Sequence, residues 1–417
     1  MEKGVVINGR RLALWRFTLS LALLAAGSGG AWPSAQSTCN LPASTRLVPW
    51  LGGRWFLSGA NVPWQNGGFG ADFGTVEEWG QHTYSHSATG QMFATLKADG
   101  ANTVRWWVFA DGRGAPEFDV ASGGNVTGFD AQFLPSLEDA IKLAAQYNLY
   151  IVFNLWSFDM LYDDSTPAAR GEHAGGHHDL IVEAAKRQSF VNNALIPMLQ
   201  HPIGGTAYTV GTHPNVLGWD IINEPEWGIT ESGGVNPGIS QPVSLAEMRR
   251  FVAEVAAAIH QHSNQLVTLG SASMKWNSDG ALGAVGNWWS DAALTPYAAA
   301  GALDFYQIHY YGWMNGDEVN WSYSPLFNTF TAAGFDKPTV VGELPANAQA
   351  DTGHPLSAVL AGLYDNCYAG AWVWSYEGVD GQGAWNAAQS AYQAFDAQHA
   401  DEIVVKPFRT YLPLLRK

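Results

Sequence analysis

Residues 216–225 read Val-Leu-Gly-Trp-Asp-Ile-Ile-Asn-Glu-Pro (VLGWDIINEP), a short apolar run that stops on a glutamate and a proline. The run is too short for a typical helix. Its apolar residues are continuous rather than alternating, which is the pattern of a strand covered on both faces, as in a parallel sheet. Seven more runs of this kind can be placed: Phe56–Val62, Thr103–Phe109, Tyr150–Leu155, Leu266–Gly270, Phe305–His309, Thr339–Gly342 and Ala371–Trp374. Amphipathic helical stretches separate them, so the chain reads as repeated βα units. Eight parallel strands with helices between them predict an α/β fold, a (β/α)₈ barrel in a single catalytic domain.

Two helices carry start signals. Ser244-Leu-Ala-Glu247 is a capping box, followed at helical spacing by Leu245, Met248, Phe251, Val252, Val255 and Ile259. Pro135-Ser136 opens another helix, which runs to Tyr147-Asn148. The Gly-, Asn- and Ser-rich stretches Gln65–Gly90, Asp111–Gly128, Asp159–His178 and Gly228–Gln241 all follow strands. This places them on the C-terminal face, where barrels build their active sites.

The 417 residues contain no linker and no internal repeat. Residues 1–35 read as a secretory leader: Lys3, Arg10, Arg11 and Arg16 precede and flank a short apolar run, Phe17–Ala26, with small residues beyond it. The catalytic domain spans 36–400, and 401–417 form a basic, apolar tail of unassigned role. Cys39 and Cys367 either pair in an oxidising compartment or stay buried thiols. The expectation is a secreted monomer without stable membrane association once the leader is removed.

The net charge is -16, and 19 residues are Trp. The charge argues against nucleic acid, which requires a basic footprint, and against acidic polymers. A neutral ligand fits better. Most of the Trp residues pack the core. Some of Trp106, Trp107, Trp156, Trp227, Trp276, Trp288, Trp289 and Trp313, near strand ends or in loops, are candidates to stack on sugars. Either Trp106 or Trp107 must face the helices, because neighbours in a strand point to opposite faces.

Glu224 and Glu343 end strands four and seven in the same way, the second in Val-Val-Gly-Glu343-Leu-Pro. In a barrel both would point inward at the top. Paired carboxyl groups are what glycoside cleavage requires, one to protonate the leaving oxygen and one to attack the anomeric carbon. Their proximity keeps one of them protonated near neutral pH.

With these motifs in order, the chain resembles glycoside hydrolase clan A, and within it the family-five cellulases and mannanases, over roughly residues 50–390. The resemblance implies that Glu224 is the acid/base and that Asn223 binds the sugar 2-hydroxyl. It implies that Glu343 is the nucleophile, and that Tyr311, in the His309-x-Tyr311 pair, hydrogen-bonds it. Arg105 would orient Glu343 and keep it ionised, and Trp374 would be the floor for the sugar at the cleavage point. One departure concerns the substrate: the family usually has a histidine after strand three, where this chain has Asn154 and Trp156.

Other clusters read as structural. Glu172, His173, His177, His178 and Asp179 fit a solvated loop better than a metal site. His82 and His86 are spaced for one helix face but lack a third ligand. Asn125-Val-Thr and Asn320-Trp-Ser are glycosylation sequons. No metal or organic cofactor is needed, because the substrate itself is the electrophile. The expected function is retaining cleavage of a β-linked polysaccharide of the β-1,4-mannan or β-1,4-glucan type. The alternatives are an exo-acting β-glycosidase, a transglycosylase, or a carbohydrate-binding barrel without catalysis.

Overall fold

The structure is a computed structural model that describes residues 39–405, except 77–79, 120–122, 164–174, 281–284 and 317–321. The leader at 1–35, the end of the tail from 406 on, Glu172, His173 and Asn320 therefore lie outside the described residues.

Eight parallel strands close into a barrel. They are β1 (Leu57–Val62), β2 (Thr103–Ala110), β3 (Tyr150–Ser157), β4 (Val216–Asn223), β5 (Leu266–Ser271), β6 (Tyr306–His309), β7 (Thr339–Pro345) and β8 (Gly370–Trp374). Each pairs with the next in the chain, and β8 returns to β1 through Gly370↔Leu57 and Trp372↔Gly59. Closure leaves no free sheet edge. All eight expected runs are strands. Their residues are buried except Leu266, which is partly covered, and this two-sided burial is why the runs read as continuous apolar segments.

The bottom of the barrel is closed by a hairpin not foreseen from the sequence. Val48–Trp50 pairs antiparallel with Gly53–Trp55, and Val404–Val405 adds a third strand beside it. Val48, Trp50 and Trp55 join one apolar cluster with Leu57, Tyr150, Val152, Leu217 and Val340 from the first turns of the strands. The last helix, Trp385–Ile403, runs past position 400, so the domain extends at least to Val405.

The helix Leu245–His262 starts at Ser244 with both halves of its capping box: the Glu247 amide donates to Ser244 Oγ at 3.2 Å, and the Ser244 amide to Glu247 Oε2 at 2.8 Å. Of the face expected to be buried, Met248, Phe251, Val252, Val255 and Ile259 are fully covered, and Leu245 is half-buried. The helix Phe133–Tyr147 starts two residues before Pro135, because Asp130 Oδ1 accepts from the amides of Gln132 and Phe133, each at 2.9 Å. Proline is tolerated in a first turn, where its missing N–H would have no helical partner.

His82 and His86 do not share a helix face. His86 is the first residue of the helix His86–Ala98, and His82 precedes the Ser85 cap. They bind Ser136 and Asp139 on the neighbouring helix, at 3.1 and 2.8 Å. The loop Asp111–Gly128 contains a small antiparallel ribbon, Glu117–Asp119 with Asn125–Gly128, and the sequon residue Asn125 is exposed on it. His177 stacks on Phe118, while His178 and Lys186 both contact Asp179. Among the described residues, no helix is long and apolar enough to cross a membrane.

Cys39 and Cys367 form a disulfide with a Cα separation of 5.1 Å. It ties the start of the domain to the turn before β8, across 328 residues of chain. A cross-link over a loop of this length restricts the unfolded chain, typically worth about 2–4 kcal/mol. The double variant Cys39→Ser/Cys367→Ser is therefore expected to unfold at lower urea than the wild type, with a steeper slope because the open chain exposes more surface, and reductant should bring the wild type down to match it.

Candidate active site

The upper half of the barrel is organised around Arg105, which projects inward from the middle of β2 with no solvent exposure. Nε donates to Asp220 Oδ2 at 2.8 Å. Nη1 donates to Asn61 Oδ1 and to Glu343 Oε1, both at 2.9 Å. Nη2 donates to Asn223 Oδ1 at 2.7 Å. Side chains from β1, β2, β4 and β7 thus meet on one guanidinium. Asp220 extends the network, taking the Gly270 amide of β5 at 3.0 Å and Gln307 Nε2 of β6 at 2.9 Å. Position 270 is glycine because a Cβ there would lie 2.8 Å from Arg105 Nη2 and 3.1 Å from His309 Nε2.

Glu343 sits on β7 with 6% of its side chain exposed. Oε1 receives Arg105, and Oε2 receives the Tyr311 hydroxyl at 2.9 Å. Glu224 follows β4 in a left-handed backbone conformation (φ 47°, ψ 47°), a costly state for a non-glycine residue and one concentrated at functional sites. Its amide is held by the Gly270 carbonyl at 2.6 Å. The conformation turns the side chain back over the barrel mouth, where Trp227 Nε1 donates to Oε2 at 2.8 Å and His309 Nδ1 lies 2.7 Å from Oε1. Of this side chain, 17% reaches solvent. One carboxyl oxygen from each glutamate and one nitrogen of His309 lie within 4.8 Å of one another. Among the described residues this is also the one cluster with the spacing of a metal site, but its atoms already hydrogen-bond each other, Tyr311, Trp227 and Arg105.

Burial raises both carboxyl groups. Glu224 is pushed up to about 7, against the opposing pull of Trp227 and Arg105. Glu343 is raised by burial as well, with Arg105 and the Tyr311 hydroxyl drawing it back down. Burial lowers His309 to about 4, so its ring is neutral at neutral pH. A protonated Glu224 can then donate to Nδ1 while the ring proton sits on Nε2. The donors assign different states to the two groups: Glu343 is surrounded by a cation and a hydroxyl suited to an anion, whereas Glu224 has one indole N–H and a neutral imidazole. A carboxylic acid beside a carboxylate is the equipment for proton donation coupled to nucleophilic attack.

Aromatic side chains flank the pair. On the β8–β1–β2 side Trp374, Trp107, Trp64 and Phe69 form one cluster, with Trp107 5.5 Å and Trp64 6.5 Å from Trp374. On the β4–β5 side Trp227 packs edge-on to Trp276, which meets Trp288. Trp106 faces the helices, against Phe73 and Phe93, and Trp107 faces the mouth. Trp156 and Trp289 are fully buried and face no groove. Asn154, on β3 where the resemblance implies a histidine, is fully buried, and its register partners are Trp107 and Asp220.

The model of the family described as Cellulase (glycosyl hydrolase family 5) matches residues 59–378, a span that holds all these side chains. The chain belongs to glycosyl hydrolase family 5. It is accordingly an O-glycosyl hydrolase. The mannan endo-1,4-beta-mannosidase of Mytilus edulis is 30% identical over 392 residues, 88% of this chain and 93% of that one. The X-ray structure of the beta-mannanase from the same mussel has a TM-score of 0.67 at 28% identity, covering 85% of this chain and 96% of that one. The beta-1,4-mannanase of the sea hare Aplysia kurodai has a TM-score of 0.68 at 26% identity, covering 87% and 97%.

The structure of this family 5 chain brings Arg105, Asn223, Glu224, His309, Tyr311, Glu343 and Trp374 together at one end of the barrel. Asp220, Asn61 and Gln307 were missed, as was the bond from Trp227 to Glu224. For Asp220 a signal was available: a charge inside a strand buried on both faces has to find a partner, and Arg105 is the buried cation at hand. Removing that cation strands two buried carboxylates. Arg105→Met is expected to lose about 3–5 kcal/mol of stability at neutral pH. Without the lowering effect of Arg105, Glu343 would bind its proton still more tightly folded than unfolded, so the deficit should shrink as pH falls. Urea unfolding at pH 7 and pH 5 measures both effects.

Proposed function

We propose that this enzyme is a secreted, endo-acting β-1,4-mannanase that works by double displacement, with Glu224 as acid/base and Glu343 as nucleophile. The observation that carries the mechanism is the separation of the carboxyl oxygens, within 4.8 Å. Retaining glycosidases hold their two carboxyl groups about 5–5.5 Å apart, whereas inverting ones leave about 6.5–9.5 Å for a water. The choice of mannan over glucan follows the two relatives' activities, and the aromatic side chains on both sides of the glutamates suit a polymer that crosses the site. The disulfide and the basic, apolar leader fit export to an oxidising compartment.

In the first step Glu224 gives its proton to the glycosidic oxygen as the bond from that oxygen to the anomeric carbon breaks. A Glu343 oxygen forms the new bond to that carbon, and the oligosaccharide on the far side leaves as an alcohol. Glu224, now a carboxylate, takes a proton from water. The resulting hydroxide oxygen attacks the anomeric carbon, and Glu343 departs as a carboxylate. Arg105 and Tyr311 hold Glu343 in line and keep its negative charge available. Asn223 offers its amide N–H groups to the sugar, since its oxygen is committed to Arg105. Trp374, fixed by the Asp380 carboxylate at 3.2 Å, is the surface for the sugar at the cleavage point.

Mannan, glucomannan, xylan, carboxymethyl cellulose and mixed-linkage glucan separate the substrate readings. New reducing ends should appear from mannan and glucomannan as a ladder of oligosaccharides and be absent with Glu343→Gln. Release of mannose alone would indicate an exo-enzyme. Glu224→Ala should depress kcat/KM on mannan far more than on an activated aryl glycoside, and an equal loss on both would remove Glu224 from the acid role. The acid must carry its proton, so kcat/KM should fall as pH rises through about 7. The nucleophile must be ionised, so it should fall again on the acid side, giving a bell-shaped profile.

A further inference from the structure

Glu226 lies two residues beyond Glu224, in the turn Pro225–Gly228, and no step above uses it. It is completely buried. Three donors from the end of β5 and the loop after it converge on Glu226: Ser271 Oγ reaches Oε1 at 2.6 Å, Trp289 Nε1 reaches Oε1 at 2.9 Å, and the Ala272 amide reaches Oε2 at 3.0 Å. The far anchors are themselves fixed. Ser271 ends β5, and the Trp289 amide donates to Asn287 Oδ1 at 2.9 Å. Only Pro225, with its restricted φ, separates this clamp from Glu224, and the same short turn carries Trp227, the donor to Glu224 Oε2.

We propose that Glu226 is a positioning residue for the acid/base: by locking the turn after β4 to the loop after β5, it aims Glu224 and its Trp227 partner at the leaving oxygen. This rests on the acid/base reading of Glu224. Among the described residues no lysine or arginine partners Glu226, and a buried carboxyl group without a cation is costly where simple packing would serve. Burial raises it to about 7. The clamp survives in either charge state, because a protonated Glu226 can donate to Ser271 Oγ, whose own proton can turn to the Ser273 carbonyl at 3.2 Å. Glutamine is different. Its amide nitrogen sets N–H against N–H, facing either Ala272 or Trp289, so Glu226→Gln keeps the shape and breaks the clamp.

The test compares kcat/KM on mannan with kcat/KM on a dinitrophenyl β-mannobioside, which needs no acid in the first step. Glu226→Gln should lose roughly 100-fold on mannan, the scale of a small misplacement of a catalytic group, and far less on the aryl glycoside. Its basic limb should also move to higher pH, because the Trp227 bond that holds Glu224 down is weakened. Equal losses on both substrates, or none, would overturn the proposal. If Glu226→Gln does not fold, Trp289→Phe removes one donor and leaves the turn sequence intact. It should show the same substrate selectivity in smaller measure, and wild-type behaviour there would overturn the proposal. Glu224→Ala run alongside separates the two ideas. Absence of selectivity in Glu224→Ala removes the acid assignment itself; selectivity there without selectivity in Glu226→Gln removes only the positioning role.

Discussion

The site depends on one buried cation. Arg105 is the shared donor for Asn61, Asp220, Asn223 and Glu343, which come from three strands far apart in the chain. A guanidinium suits this role because its N–H groups form a rigid planar fork and its charge is permanent. An ammonium would neutralise the same charge without fixing four directions. The fork also explains the asymmetry of the glutamates. Both lose solvation, but only Glu343 is in hydrogen-bond contact with the cation, so one group is set up as an anion and the other as an acid.

The barrel was legible because each strand is buried on both faces and prints as an apolar run. The two glutamates were legible because each ends such a run at the C-terminal face, and the resemblance supplied the other site residues. Legibility fails where the physical cause lies in a distant partner. Nothing near Glu226 marks it out, since its donors are Ser271, Ala272 and Trp289. Asp130 caps a helix whose local sequence suggested a later start. The hairpin under the barrel is three residues a side, and only the cluster it completes with Tyr150, Leu217 and Val340 gives it a reason to form.

Asn154 shows where resemblance and geometry part. Position 154 is fully buried in the strand interior, in register with Trp107 and Asp220. The absence of a histidine at this place leaves the carboxyl pair and its donors intact. The Arg105 network and the aromatic side chains Trp64, Phe69, Trp374 and Trp227 are distinct parts of the barrel mouth.

Trp227 links the carboxyl pair to the aromatic side chains. Its indole N–H holds Glu224 Oε2, and its ring belongs to the aromatic group with Trp276 and Trp288. The turn that carries Trp227 and Glu224 is short and strained at Glu224, with positive φ, and a strained backbone persists only when its surroundings over-determine it. Here the surroundings are the Gly270 carbonyl on one side and the three donors to Glu226 on the other. Strands β4 and β5 thus hold Glu224 between them, as β2 holds Glu343 through Arg105.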